Sequence, residues 1–116
     1  MTVETAKNNN FPPYIDGKLR HVLLYARIGV LAMLDYYGAD GLPYQDIKDV
    51  LRLPDGSLGP NLAWLKDNGY VESHEERVEG HGIVVYYITQ EGRSAYERVK
   101  NWLDVLLHHD GLDKGV

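Results

Sequence analysis

The chain has 116 residues, 44% hydrophobic and 25% charged, with no cysteine and a net charge of −5. That suits one soluble domain with its own core and leaves no disulfide or thiolate metal ligand. No apolar run reaches the ~18 residues that span a bilayer, no basic-then-apolar leader opens the chain, and the acidic balance weighs against a non-specific nucleic-acid binder, which carries a basic surface; the expected location is cytoplasmic.

Residues 1–13 are polar, with Asn8-Asn9-Asn10 and Pro12-Pro13, and read as a flexible arm. The folded domain is expected over 14–107, and 108–116, with two glycines, as a frayed tail. Asp16 is placed to cap a helix that runs to about Tyr37 and stops at Gly38. Leu19, Val22, Leu23, Ala26, Val30, Leu31 and Leu34 follow its i, i+3/i+4 spacing. Leu24, Ile28 and Met33 add apolar surface off that stripe, so the helix is expected to be covered on a second side. After the Gly38–Pro43 loop, a second helix is expected over 44–51, with Ile47, Val50 and Leu51 on its inner face. Leu53-Pro54-Asp55-Gly56 is a turn.

The next helix has a hard start and a hard stop. Ser57 or Asp55 can cap it, Pro60 falls in its first turn, and Gly69 ends it after Asn68. Leu58, Leu62 and Leu65 repeat at i, i+4, i+7 and give it one apolar face. Two strands follow, expected over 70–77 and 83–88, the second being Ile83-Val84-Val85-Tyr86-Tyr87-Ile88. The glycines at 80 and 82 mark the hairpin tip. Thr89 then caps a last helix whose stripe is Ala95, Val99, Trp102, Leu103 and Leu106, widened by Val105 and Leu107. A helix–turn–helix that leads into a β-ribbon is a winged helix-turn-helix, mainly α with a small β-hairpin wing, and its second helix is the recognition element.

The first and last helices carry more apolar surface than a monomer of this size hides. Leu19, Val22, Leu23, Val99, Trp102, Leu103 and Leu106 are therefore expected at a homodimer interface. With Leu58, Leu62 and Leu65 inward, the recognition helix turns Pro60, Ala63, Trp64 and Asp67 outward. Asn61 is the residue here able to pair bidentately with adenine. Arg27 and Arg77 are expected on phosphates, and Ser57, Trp64, Lys66 and His81 complete the expected DNA face. The wing is acidic, with Glu72, Glu75, Glu76 and Glu79 against Arg77 alone. Lys18, Arg20, His21 and Arg27 give the first helix a basic side, read as solvated or as touching flanking phosphates. His74 and His81 flank the hairpin tip, and His108-His109-Asp110 closes the last helix; both read as solvated, and no metal or cofactor is expected. The nine tyrosines read as packing, with an aromatic effector between the first and last helices as the lesser alternative. No catalytic constellation is present: there is no Gly-rich phosphate loop, and Ser57 is explained by capping.

Several stretches resemble the MarR/ArsR-like winged-helix regulators, in particular the small archaeal and bacterial type with one winged helix and a dimerising terminal helix. They are the Ala26–Leu34 segment, Tyr44-Gln45-Asp46-Ile47, the turn from Leu53 to Leu58, Asn61-Leu62 with Leu65, Asn68-Gly69-Tyr70-Val71, and Tyr87-Ile88-Thr89-Gln90-Glu91-Gly92-Arg93. The resemblance covers roughly residues 18–107. It implies a homodimeric transcription regulator that sets the recognition helix in the major groove of double-stranded DNA and the wing near the minor groove. Two uses of the outward face stay open: sequence-specific DNA binding, or contact with a protein partner anchored at Trp64, since aromatics favour interface centres; Trp64 reads equally as packed against the wing or a neighbouring helix.

Overall fold

The computed structural model describes residues 11–108; the rest of the expected arm and tail, His109 and Asp110 included, lie outside the described residues. Asp16 caps the first helix as expected, its Oδ1 accepting the N–H groups of Lys18 at 2.8 Å and Leu19 at 3.1 Å. That helix, α1 (Gly17–Arg20), is short. It tightens into a 3-10 turn, His21–Leu23, and the backbone becomes extended at Leu24, with ψ 139°. Helix α2 (Tyr25–Tyr37) starts afresh, with the Leu24 carbonyl accepting the N–H groups of Arg27 and Ile28.

The single helix expected over 16–37 is therefore broken. Straight, it would be about 33 Å long. Folded back at Leu24, it keeps Leu19 and Val22 in the same core as Val30 and Leu34. The off-stripe surface goes to solvent instead, and Leu24 is 53% exposed. Beside it, the exposed Tyr25 lays its hydroxyl on the Leu51 carbonyl, 3.2 Å away.

A 3-10 turn, Gly38–Asp40, leads into strand β1 (Leu42–Pro43). Helix α3 (Tyr44–Leu51) begins at once, with Pro43 in the capping position. Ile47 and Leu51 are buried, one turn apart, but Val50, expected beside them, is 60% exposed. The i, i+4 ridge of Ile47 and Leu51 is narrow enough that Val50, round the helix, falls outside the contact. Arg52 ends the helix in the left-handed region at φ 55°.

Helix α4 (Asp55–Asp67) is the helix expected to be the recognition element. It starts earlier than Ser57, so neither expected cap forms. Pro54 holds the capping position, and Ser57, already inside the helix, gives its N–H to the Pro54 carbonyl at 3.0 Å. Pro60 accordingly sits in the helix interior, where its ring removes one backbone hydrogen bond. Leu58, Leu62 and Leu65 are buried as the spacing requires. The stop is a Schellman motif: Gly69 at φ 79° gives its N–H to Lys66, and Tyr70 gives its own to Leu65 at 2.9 Å.

Strands β2 (Val71–Val78) and β3 (His81–Ile88) pair antiparallel through a two-residue turn, Glu79 and Gly80, both at positive φ. Such a turn matches the strand twist and extends the ribbon further than the sequence suggested. Strand β1 lies on the other side of β3, with Leu42 opposite Tyr86, giving the order β1-β3-β2.

Helix α5 (Gln90–Leu107) closes the domain under a Thr89 cap. The Thr89 hydroxyl accepts the Gly92 N–H at 3.0 Å and donates to the Gly69 carbonyl at 2.6 Å, so one residue joins the end of α4 to the start of α5. Gly92 is needed there because a Cβ would stand 2.1 Å from the Tyr70 carbonyl oxygen.

The core forms where α2, α4, α5 and the base of the ribbon meet. Three residues expected between subunits belong to it: Leu19, Val22 and Val99 are 5%, 0% and 0% exposed within one protomer. The bend at Leu24 is what brings the first two inside. Leu23, Trp102, Leu103 and Leu106 remain half-buried. The end of the expected arm is docked, since the Trp102 indole donates to the Pro13 carbonyl at 2.7 Å.

Candidate nucleic-acid interface

The helix–turn–helix is α3 and α4, joined at Arg52 through Pro54. Its corner is braced by residues that the sequence reading assigned otherwise or passed over. Asp55, instead of capping α4, accepts the Tyr44 hydroxyl at 2.7 Å and pairs with Lys48 at 3.2 Å. These two partners, the tyrosine first, hold its carboxyl below the usual range, and the same bond pushes the Tyr44 phenol up. Position i+4 from Tyr44 to Lys48 on an amphipathic helix was the available signal. It points both side chains at whatever follows the turn.

The face that α4 turns to solvent is smooth. Gly56, Pro60 and Ala63 are exposed along it, and no atom stands within 4 Å of where a Cβ would sit at Gly56 or Gly59. Lys66 and Asp67 flank its far end.

Asn61 and Trp64 are not on that face. Asn61 accepts the Arg27 Nε–H at 2.9 Å and donates to the Ser57 carbonyl at 2.7 Å. Both of its hydrogen-bonding edges are engaged inside the domain, which removes the bidentate adenine reader in this arrangement. Trp64 is half-buried against the core, its ring 5.9 Å from that of Tyr70. The Arg27 guanidinium covers the indole at 3.8 Å and donates to the His21 carbonyl at 2.8 Å. Desolvation lowers the Arg27 pKa from its ordinary value, without approaching neutrality. Arg27, Asn61 and Trp64 thus form one internal cluster that ties α4 to α2 and to the 3-10 turn. Trp64 does not stand outward as an anchor.

Three other expected residues do reach the surface. Lys66 is exposed and donates to the Ser73 hydroxyl at 2.9 Å, joining α4 to β2. Arg77 is exposed and braced on the Gly80 carbonyl at 3.0 Å. His81 is exposed opposite Val78 at the tip. His74 lies opposite Val85, four positions along from His81, so the two imidazoles do not converge; His74 instead approaches Glu72 at 3.5 Å. Ser57 is half-buried and enters through its carbonyl. The sequence reading missed Arg52, an exposed cation at the corner with no ion pair or hydrogen bond from its side chain among the described residues. The left-handed backbone at Arg52 is what swings it outward.

The wing keeps its acidic character, with Glu72, Glu75, Glu76 and Glu79 all exposed. Glu76 accepts the hydroxyl of Tyr87 across the ribbon, and this bond pushes the Tyr87 phenol up. Among the described residues no helix is long and apolar enough to cross a membrane.

Two short helices joined by a tight turn, an antiparallel ribbon and a closing helix define a winged helix. A model of the winged helix DNA-binding domain matches residues 26–107, and the chain belongs to that family. An uncharacterized protein of Methanocaldococcus jannaschii is 32% identical over 81 residues, spanning 70% of this chain and 83% of that one. A transcriptional regulator homologue from Pyrococcus horikoshii superposes with a TM-score of 0.68 at 23% identity, covering 96% of this chain and 99% of that one. The repressor CouR, solved on a 23-mer DNA duplex, gives 0.65 at 19% identity, over 95% of this chain and 71% of that one. Wild-type MarR from E. coli gives 0.61 at 20% identity, over 97% and 75%. At these identities the structures share the fold.

Proposed function

We propose that the protein is a DNA-binding transcription regulator that acts as a cytoplasmic homodimer. The observation that carries this reading is the α3–turn–α4 unit with its ribbon, in a chain of the winged helix DNA-binding family. The fold it shares with CouR, which was solved on DNA, supports the same reading. Arg52, Lys66 and Arg77 are the exposed cations around this unit and would meet phosphates. The Gly56–Pro60–Ala63 face lets the backbone of α4 approach a groove closely but offers no side chain for bidentate base contacts. Recognition would therefore lean on phosphate position and groove shape. The half-buried Trp102, Leu103 and Leu106, with exposed Val105 and Leu107, give α5 an apolar end for a second copy.

The test is fluorescence anisotropy with a random duplex pool, read against salt. Binding that weakens with salt, with a slope set by about three phosphate contacts and lost on Arg52→Ala with Arg77→Ala, is the expected result. No binding at low salt would sink the reading. It would favour a basic protein partner on the four exposed wing glutamates, the second reading that their charge supports.

A further inference from the structure

Where α1, the end of α4 and the start of α5 meet, they leave a cleft of about 530 Å³. Tyr70 forms part of its wall and is 5% exposed. None of the described residues hydrogen-bonds the Tyr70 hydroxyl, although buried hydroxyls nearly always find a partner. No fully enclosed side-chain polar atom among the described residues lacks a partner, so the Tyr70 hydroxyl keeps a little exposure, on a residue that lines the cleft. Burial pushes the Tyr70 phenol up, Asp16 adding to the rise and Arg98 opposing it from the same walls.

The charges around the cleft divide into used and unused. Asp16 is used: it caps α1 through Oδ1 and meets Arg98 at 3.4 Å through Oδ2. The Lys18 ammonium stands 5.2 Å over the Tyr70 ring with no carboxylate in ion-pair range among the described residues. Glu91, in the first turn of α5, has no ion pair or hydrogen bond there either. Leu19 and Ala95, both buried, supply the apolar floor. A cation and a carboxylate without an ion pair among the described residues, a phenol without a hydrogen bond among them and a small apolar floor suit a compact zwitterion. A plain anion would face Glu91, and a plain cation would leave Lys18 unmatched.

We propose that this cleft binds a free α-amino acid, its carboxylate held by Lys18 and the Tyr70 hydroxyl, its ammonium by Glu91, and its side chain laid on Leu19 and Ala95. The site stands independently of DNA binding.

The experiment titrates the full chain with each of the common amino acids at millimolar concentration, by calorimetry and by amide chemical shifts. Benzoate, benzylamine and inorganic phosphate serve as single-charge controls. At least one amino acid saturates, moves the amides of residues 16–19 and 90–95, and binds better than any control. Tyr70→Phe and Glu91→Gln each weaken it about tenfold, the scale of one hydrogen bond to a charged group. If Tyr70→Phe does not fold, Glu91→Gln, on an exposed side chain, decides. The proposal is overturned if no amino acid binds, if benzoate or phosphate binds as tightly as the best amino acid, or if the folded variants bind as the parent does.

Discussion

The guanidinium of Arg27 lies 3.8 Å over the indole of Trp64, with its Nε–H on Asn61 and an Nη1–H on the carbonyl of His21. One arginine on α2 thereby holds the recognition helix at two positions and fixes the turn before it. Arg27→Ala removes a stacked cation worth ~0.5–2 kcal/mol and leaves the Asn61 carbonyl oxygen without its donor. The expected loss of stability is about 2 kcal/mol in denaturant unfolding, with a change in Trp64 emission read in a Trp102→Phe background. Arg27→Lys should not rescue it, because an ammonium cannot make the fork of bonds and the stack together.

Asn61→Ala tests the engagement of that side chain directly. It should cost about 1 kcal/mol of stability for the lost internal hydrogen bonds. It should leave the base preference in a DNA selection unchanged. A relaxed preference at a single base pair would mean that Asn61 leaves Arg27 and reads the groove.

Gly92→Ala places a methyl 2.1 Å from the Tyr70 carbonyl oxygen. Backbone cannot give way there, since Tyr70 also receives the Thr89 N–H. Overpacking against backbone should cost roughly 3 kcal/mol or more, seen as a fall in the denaturant midpoint. Ala at half-buried Gly59 meets nothing within 4 Å and should be neutral or slightly stabilising.

Trp102 is half-buried within the protomer, so the ~3–5 kcal/mol of a core tryptophan does not apply to the isolated chain. The proposed dimer predicts that Trp102→Ala shifts sedimentation from dimer to monomer at micromolar concentration. Val99→Ala, at a residue wholly enclosed in one protomer, should lower stability with far less effect on assembly. A parent protein that sediments as a monomer would remove the dimer from the proposal.

Acid should unfold the protein partly through Asp16 and Asp55. Backbone N–H groups, Leu19 first, lower the pKa of Asp16, and the Tyr44 hydroxyl followed by Lys48 lowers that of Asp55. Both native pKa values lie below the unfolded one. The stabilisation is therefore present above the ordinary aspartate range of about 4 and is lost as pH falls through the lowered values. Melting temperature measured against pH should drop on that side. Asp16→Asn with Asp55→Asn should flatten the drop.

The element order was legible because local signals agreed. The i, i+4, i+7 leucines, Gly69, the β-branched run before Thr89 and the Thr89 cap each act within a few residues of themselves. Elements that depended on distant partners were misread. The helix expected over 16–37 has an unbroken apolar pattern, and only its packing on α5 and α4 breaks it at Leu24. Ser57 and Asp55 suit a cap by residue type, but Asp55 is drawn to Tyr44 and Lys48 on the preceding helix.

The expected site was legible in part for the same reason. Arg77, His81 and Lys66 lie on the surface, because a polar residue on a ribbon or at a helix end has few neighbours to draw it inward. Arg27 and Asn61 read as DNA contacts, and Trp64 reads either as packed on a neighbouring element or as an exposed anchor, since a helical wheel carries no information about a neighbouring helix; the packed position is the one Trp64 takes.

The sequence alone determined a winged helix with an acidic wing and a recognition helix poor in cations, since periodicity, caps and charge are properties of the chain itself. Tertiary structure decided which polar groups remain available at the surface. Arg27 reaches Asn61 across 34 positions of sequence, and Trp102 reaches Pro13 across 89. Contacts at such separations form only once the core has set the helices side by side, and they determine which side chains remain free for a partner.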